Sequence, residues 1–113
     1  MHEFGLMQAV IETSVASARE AGATRVTEIR LTVGELTQVV EEAMDFAFDV
    51  LCKGTMCEGA RLAIEFVPPR SRCLDCGDEF PHDALHRKCP GCGSPYTQVI
   101  AGRELEIASI EVE

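Results

Sequence analysis

The 113-residue chain has few basic residues, no long apolar stretch and no basic leader. Its 10 lysines and arginines face 19 aspartates and glutamates, for a formal net charge of −9. Such a surface is repelled by phosphate backbones, so general nucleic-acid binding is disfavoured. Without an apolar run of about 18 residues, no membrane span is expected. The first three residues, Met1-His2-Glu3, include an acid where a secretory signal has a basic segment. No secretory signal is therefore expected, and a cytoplasmic location is predicted.

Motifs for nucleotide hydrolysis and for nucleophilic catalysis are also missing. The sequence contains neither a Walker A motif nor a Gly-x-Ser-x-Gly elbow, and its catalytic-type side chains are scattered. We therefore predict that the protein is not an enzyme.

Four of the six cysteines form two Cys-x-x-Cys-Gly motifs, Cys73 with Cys76 and Cys89 with Cys92. The glycine after each pair permits a positive φ, which turns backbone N–H groups toward the sulfurs. Two such knuckles facing each other form a closed Cys₄ shell, the donor set of structural Zn²⁺. Two disulfides are the alternative, which the lack of a secretory signal disfavours.

The chain start, Met1-His2-Glu3, is a second candidate metal site. The Met1 amine, the ionised His2 amide and His2 Nδ1 would close a five-membered and a six-membered chelate ring. Amide ionisation favours metals with a square-planar preference, Ni²⁺ or Cu²⁺. The fourth donor stays open between the Glu3 carboxylate, the Glu3 amide and a partner's ligand. In the competing interpretation, His2 is an ordinary residue and Glu3 favours the positive end of a helix.

Hydrophobic periodicity predicts helix, strand, helix, strand, zinc insert and strand, in that order. The predicted helices run over residues 3–21 and from 37 or 38 to 52, with Phe4 and Val40 assigned to their apolar faces. The predicted strands cover 28–33, 62–66 and 104–112, the last with a bulge near Ala108-Ser109.

These elements predict an α+β fold in which two helices pack on a three-stranded sheet, with an inserted small Cys₄ zinc-ribbon-like domain. The predicted domains are residues 1–69 with 98–113, which contain the candidate Ni²⁺ or Cu²⁺ site at the chain start, and residues 70–97, which would bind zinc. The zinc insert is expected to connect neighbouring strands.

Five stretches recur in an order typical of one family. They are Met1-His2-Glu3, Val33-Gly34-Glu35-Leu36, the Lys53-Gly54-Thr55 and Glu58-Gly59-Ala60 stretch, the paired Cys-x-x-Cys motifs and Ser109-Ile110-Glu111-Val112. Together they resemble the HypA/HybF family of nickel metallochaperones in hydrogenase maturation, over essentially the whole chain.

The resemblance implies that the first predicted domain binds nickel and the second zinc. It places Ni(II), as transient cargo, at Met1, His2 and Glu3, and structural Zn(II) at Cys73, Cys76, Cys89 and Cys92. It also implies delivery to the [NiFe]-hydrogenase large subunit together with the GTPase HypB, and in some members a role for urease maturation proteins. The absence of a Walker motif agrees with a separate GTPase. The oligomeric state is open between monomer and homodimer.

Four further residues have competing interpretations. Cys52 and Cys57 are predicted to be buried or semi-buried free thiols, with a disulfide or an auxiliary thiolate site as alternatives. His82 and His86 lie between the knuckles, either as solvent-exposed loop histidines or as replacements for a cysteine ligand in some metal-loading or pH states.

Two other functions use the same cysteines. A rubredoxin-like iron site would make the chain an electron-transfer module, and a zinc-ribbon regulatory adaptor would bind nucleic acid. A visible ferric colour would identify the first, and salt-dependent retention on DNA or RNA the second.

Overall fold

The computed structural model describes residues 3–113 of the chain. The elements, in chain order, are as follows: α1 Glu3–Glu20, β1 Val26–Gly34, a 3₁₀ turn Glu35–Thr37, α2 Glu41–Cys52, β2 Arg61–Val67, β3 Arg70–Cys73, β4 Glu79–Pro81, β5 Thr97–Ala101 and β6 Leu105–Val112. The predicted α+β class is confirmed: the chain contains two helices, a three-stranded sheet and a Cys₄ cluster. No helix within residues 3–113 is long and apolar enough to cross a membrane.

The chain divides into two compact units. The first unit contains residues 3–32, 39–65 and 106–113, and the second unit contains Val33–Gln38 and Phe66–Leu105. The assignment of nickel and zinc to separate domains with the boundaries given above stays a prediction.

In the first unit, α1 packs against α2. Their apolar residues at helical spacing, with β1 residues at alternating positions, form a core that excludes water and stabilises this unit. Its buried residues include Met7, Val10, Ile11, Ala18, Ile29, Leu31, Met44, Ala47 and Phe48. The predicted apolar faces were wrong at Phe4 and Val40, which are 42% and 56% exposed. Phe4 lies in the first turn of α1, and Val40 precedes the first residue of α2, so both fall at element ends.

The start of α2 is later than predicted, at Glu41 instead of residue 37 or 38. The intervening Glu35–Thr37 form a 3₁₀ turn, in which the Thr37 hydroxyl donates to the Gly34 carbonyl at 2.7 Å. Gln38 then adopts φ 60°, a left-handed conformation that interrupts any continuous helix. Helix α2 can therefore begin only after Gln38.

The first sheet has the strand order β2-β1-β6. The second unit's cysteine-bearing segment thus connects the two outer strands across β1, and the prediction that it joins neighbouring strands was wrong. In β6 the half-buried positions are Leu105, Ile107 and Ile110, so the alternation changes phase at Ala108-Ser109, where the bulge was predicted. Val112, expected to point inward, is 39% exposed.

The second sheet has the order β4-β3-β5 and is antiparallel throughout. Ser71 of the central strand is fully buried and is paired with Phe80 and Val99 on its two sides. A register shift between Arg70 and Ser71 bends β3 against β5. This small sheet ends at Cys73, the first residue of the first knuckle.

Candidate metal centre

The first knuckle follows directly from β3. The Gly77 N–H donates to the Cys73 carbonyl at 2.9 Å, and the Cys73 N–H donates to the Asp78 carbonyl at 2.8 Å. These two bonds close a tight loop around the Cys73-x-x-Cys76 pair. Gly77 adopts φ 79°, so the positive φ predicted for the residue after the pair is confirmed.

The second knuckle repeats this hydrogen-bond pattern between β4 and β5. The Gly93 N–H donates to the Cys89 carbonyl at 2.8 Å, and the Cys89 N–H donates to the Ser94 carbonyl at 3.0 Å. Gly93 has φ 75°, as predicted. The two loops are therefore equivalent in construction, and each presents its two thiols from one turn of backbone.

The knuckles bring all four sulfurs within 4.8 Å of one another. Cys73 Sγ lies 3.5 Å from Cys92 Sγ, and Cys76 Sγ lies 3.6 Å from Cys89 Sγ. A tetrahedral ion with metal–sulfur bonds of about 2.3 Å requires sulfurs roughly 3.8 Å apart. All six cysteines are free thiols, so the two-disulfide alternative is wrong. The four thiols fit a metal ion such as zinc.

The electrostatics of the cluster also favour a cation. The Cys76 N–H, 3.4 Å from Cys73 Sγ, lowers the pKa of the Cys73 thiol to about 7. The Asp78 backbone N–H lowers the pKa of Cys76, but the sulfurs of Cys89 and Cys73 outweigh it and raise that pKa to about 12. Four thiolates this close repel one another, so a divalent ion is needed to hold all of them ionised.

Two side chains next to the cluster, Phe80 and Ser94, stabilise it by packing and by hydrogen bonding. Phe80 of β4 is buried against Cys73 and Cys89, which gives the site an apolar floor. The Ser94 hydroxyl donates to an Asp75 carboxylate oxygen at 2.5 Å and accepts the Tyr96 N–H at 3.1 Å. The Ser94 side chain thus ties the second knuckle to the first.

The predicted nickel residues Met1 and His2 lie outside the described residues. Glu3, the third residue of that set, is the first residue of α1. Its Oε2 accepts the Val40 N–H at 3.2 Å, immediately before α2. This contact is a cap from a distant segment, because Val40 itself makes no side-chain capping bond.

Comparison with known proteins assigns the family. The family described as "HypA: Hydrogenase/urease nickel incorporation, metallochaperone, hypA" matches residues 1–112. The chain belongs to the HypA family. Proteins named hydrogenase maturation factor HypA from Geobacter metallireducens and Chlorobaculum tepidum are 42% and 41% identical over 113 residues, with 100% of both chains covered in each case. The resemblance identified from the sequence is confirmed.

Solved structures of HypA proteins share the fold. The solution structure of the nickel metallochaperone HypA from Helicobacter pylori has a TM-score of 0.72 at 24% identity, covering 99% of this chain and 97% of that one. A second HypA solution structure has a TM-score of 0.77 at 23% identity, covering 100% and 97%.

His82 and His86 bond to groups other than the four thiols. The Asp83 carbonyl, 2.5 Å from His82 Nδ1, can only accept, so Nδ1 carries the proton and Nε2 accepts the Ser71 hydroxyl at 2.6 Å. His86 Nδ1 lies 2.8 Å from the Asp83 carboxylate, which lowers the pKa of Asp83 to about 2. Among the described residues, the metal-type cluster comprises the four cysteines. His86 is an exposed loop histidine, as predicted, whereas His82 lies in the loop but is half-buried. Replacement of a cysteine ligand by either histidine in other metal-loading or pH states stays a prediction.

Cys52 and Cys57 are buried free thiols, as predicted. Burial raises the pKa of Cys52 to about 12, with a further contribution from Cys57 beside it. Burial likewise raises the pKa of Cys57. Both thiols are protonated near neutral pH and are absent from the Cys₄ cluster.

Sequence reasoning missed three contacts that support these sites. Phe80 under the thiols, the Ser94–Asp75 bond and the Glu3–Val40 bond all depend on tertiary structure. Only the Ser94–Asp75 bond had a local indication in the sequence. Ser94 lies two residues beyond Cys92, where its hydroxyl can reach the loop of the other knuckle.

Proposed function

We propose that this chain is a nickel metallochaperone that binds Ni(II) at Met1, His2 and Glu3 and delivers it to the [NiFe]-hydrogenase large subunit. The observation that carries this proposal is the family match across residues 1–112, which begins at the Met1-His2-Glu3 motif. The same family description includes urease, so urease maturation proteins are further candidate partners. We also propose that the protein acts in the cytoplasm.

The chemistry of the chain start supports a carrier. Binding by a terminal amine and an imidazole requires both to lose their protons, and their ordinary pKa values are about 7.7–8.0 and 6.5. Affinity for Ni(II) therefore falls as the pH drops through this range, and a replaceable fourth donor suits transfer of the ion. The Glu3–Val40 bond holds Glu3, the third residue of the proposed site, against the residue that precedes α2.

In the proposal, Cys73, Cys76, Cys89 and Cys92 hold Zn(II). When bound, this ion crosslinks the two knuckles and supplies no open coordination position for catalysis. A nucleotide-dependent step belongs to a separate GTPase, HypB, because the chain has no Walker motif.

Nickel titration of three forms tests the site. The protein with a mass-verified intact start is compared with His2→Ala and with a form that carries one extra residue before His2. The insertion keeps the imidazole but breaks its spacing from the amine, so we expect both altered forms to lose tight binding. Equal binding by all three forms would show that the chelate lies elsewhere.

Metal analysis tests the second site. One equivalent of zinc in a colourless protein agrees with the proposal. Iron with the visible absorption of a ferric Cys₄ centre would instead favour the rubredoxin-like alternative.

A further inference from the structure

Four of the large exposed apolar side chains in the first unit lie beside one another. The rings of Phe4 and Phe46 meet edge to face with centroids 6.0 Å apart. Val50 lies one helical turn beyond Phe46 on α2, and the Glu3–Val40 bond places the Val40 backbone beside the first turn of α1, which contains Phe4. We define these four residues as the Phe46 patch.

The exposure of the Phe46 patch is costly if nothing covers it. Phe46 and Phe4 are 62% and 42% exposed, and Val40 and Val50 are 56% and 40% exposed. Single exposed apolar residues are normal on protein surfaces, but contiguous ones mark interaction sites. An aromatic side chain at the centre of such a patch is the type of residue that dominates binding free energy.

The charges around the patch select the kind of partner. Glu42 and Asp49 are one turn away from Phe46 on the same face of α2, and Asp45 precedes it. The residues of α2 include four acids and no base, with Lys53 following the helix. On α1 the first base is Arg19, in the last turn. A partner must therefore offer apolar side chains bordered by lysine or arginine.

The position of the patch connects it to the proposed cargo site. Phe4 follows Glu3 directly, and Val40 holds the Glu3 carboxylate. A protein bound on the patch would meet the chain at the residues next to the proposed nickel ligands. A second copy of this chain is a poor occupant, because its own patch has the same acidic border.

From these observations, and resting on the function proposed above, the geometry points to the Phe46 patch as the surface that docks the protein receiving the nickel. The receiving protein contributes an apolar contact with a basic border. Apolar contact and charge thus select the client before the ion is transferred.

The test measures the affinity of the full nickel-loaded chain for purified hydrogenase large-subunit precursor. We expect the double variant Phe46→Gln/Val50→Gln to lose about 10-fold or more in affinity. The matched control is Leu85→Gln, which removes a large side chain that is 86% exposed in the second unit, and it should bind as the unsubstituted chain does.

Charge reversal provides an independent arm. Asp45→Lys/Asp49→Lys should slow association and reduce its dependence on salt, whereas Glu58→Lys, an exposed acid in a loop, should change neither. All variants should retain the nickel content and the circular dichroism spectrum of the unsubstituted chain.

Affinity unchanged within about twofold in both patch variants would overturn this role for the patch, as would an equal loss in Leu85→Gln. Loss of nickel from the patch variants would show that they damage the metal site instead, and would also overturn it. If the unsubstituted nickel-loaded chain does not bind the large subunit, delivery to that client fails together with the docking role. Normal hydrogenase maturation by the patch variants would refute docking while leaving the nickel function standing.

Discussion

Gly34 and Gly102 are the residues at which the second unit tolerates least change. A Cβ on Gly34 would overlap the Gly102 carbonyl, and Gly102 itself has φ 112°. The backbones approach this closely because the Gly34 N–H donates to Glu104 O at 2.7 Å and the Leu36 N–H donates to Gly102 O at 2.8 Å. A turn with a bulkier residue at Gly34 would have to separate these strands and lose both bonds.

We expect Gly34→Ala to lower the free energy of unfolding by about 3 kcal/mol, because the added methyl group would meet backbone that cannot move aside. Gly5→Ala is the control, since a Cβ at this α1 position has no neighbour within 4 Å. It should raise stability by about 1 kcal/mol through helix propensity. Chemical denaturation measures both, and equal effects would refute the steric explanation.

The contribution of Asp83 to stability is predicted to depend on pH. His86 and the backbone N–H groups of Leu85 and His86 hold the pKa of this carboxyl at about 2. Because this value is below that of the unfolded chain, the contribution of Asp83 to stability is present above the unfolded pKa and is lost as the pH falls toward 2. Removing the imidazole should raise the pKa of Asp83 toward its ordinary range.

An NMR titration of the Asp83 side-chain carboxyl in His86→Ala measures that pKa. The backbone donors to Asp83 remain in this variant, so a partial rise is expected. His82→Ala is the comparison, because His82 bonds to the Asp83 backbone carbonyl and not to its carboxylate. An Asp83 pKa that stays near 2 in His86→Ala would assign the effect to the backbone donors alone.

At the scale of elements, the sequence predicted what depends on local pattern. The end of α1, the position of β2 before Pro68-Pro69 and the phase change in β6 followed from periodicity and proline. The strands β3 and β4, with four and three residues, are too short to show alternation and were not predicted. Their formation depends on the knuckle bonds and on Phe80, which only the folded chain brings together.

The Cys₄ cluster could be predicted because its four ligands occur in two local pairs with a recognisable spacing. The burial at Ser71, Phe80 and Ser94 could not, because each depends on a partner in another element. The left-handed conformation at residue 38 could not be predicted, because the residue is Gln38 and not the glycine or asparagine usual in that conformation. The predicted start of α2 was therefore too early.

Removal of the metal should act on one unit. Cys73→Ser, or a strong chelator, should expose amides of β3–β5 to hydrogen exchange, because Cys73, Cys89 and Phe80 form their buried cluster. The amides of α1 and α2 should stay protected by the core of the first unit. Uniform loss of protection over the whole chain would contradict this, and Cys52→Ala should leave the zinc stoichiometry unchanged.

For the whole molecule, the charge determines which surfaces it avoids. Nineteen acids against 10 bases give −9 before any thiolate is counted. This net charge repels other acidic molecules. Association therefore depends on local surfaces, such as the Phe46 patch with its acidic border, more than on overall attraction.

We expect no retention of the full chain on immobilised DNA or RNA at any salt concentration from about 50 to 200 mM. A basic zinc-ribbon protein on the same support is the positive control. Retention that falls steeply with salt would support the regulatory-adaptor alternative, since such dependence reports release of counterions from phosphates.

Each knuckle places its first sulfur under protein and its second at the surface: Cys73 and Cys89 are buried, and Cys76 and Cys92 are exposed. When all four are thiolates around one ion, access and not acidity decides which of them reacts. Alkylating reagents and competing thiols should therefore attack in a fixed sequence, outer pair first. A competing chelator would therefore reach Cys76 and Cys92 before it could reach Cys73 and Cys89.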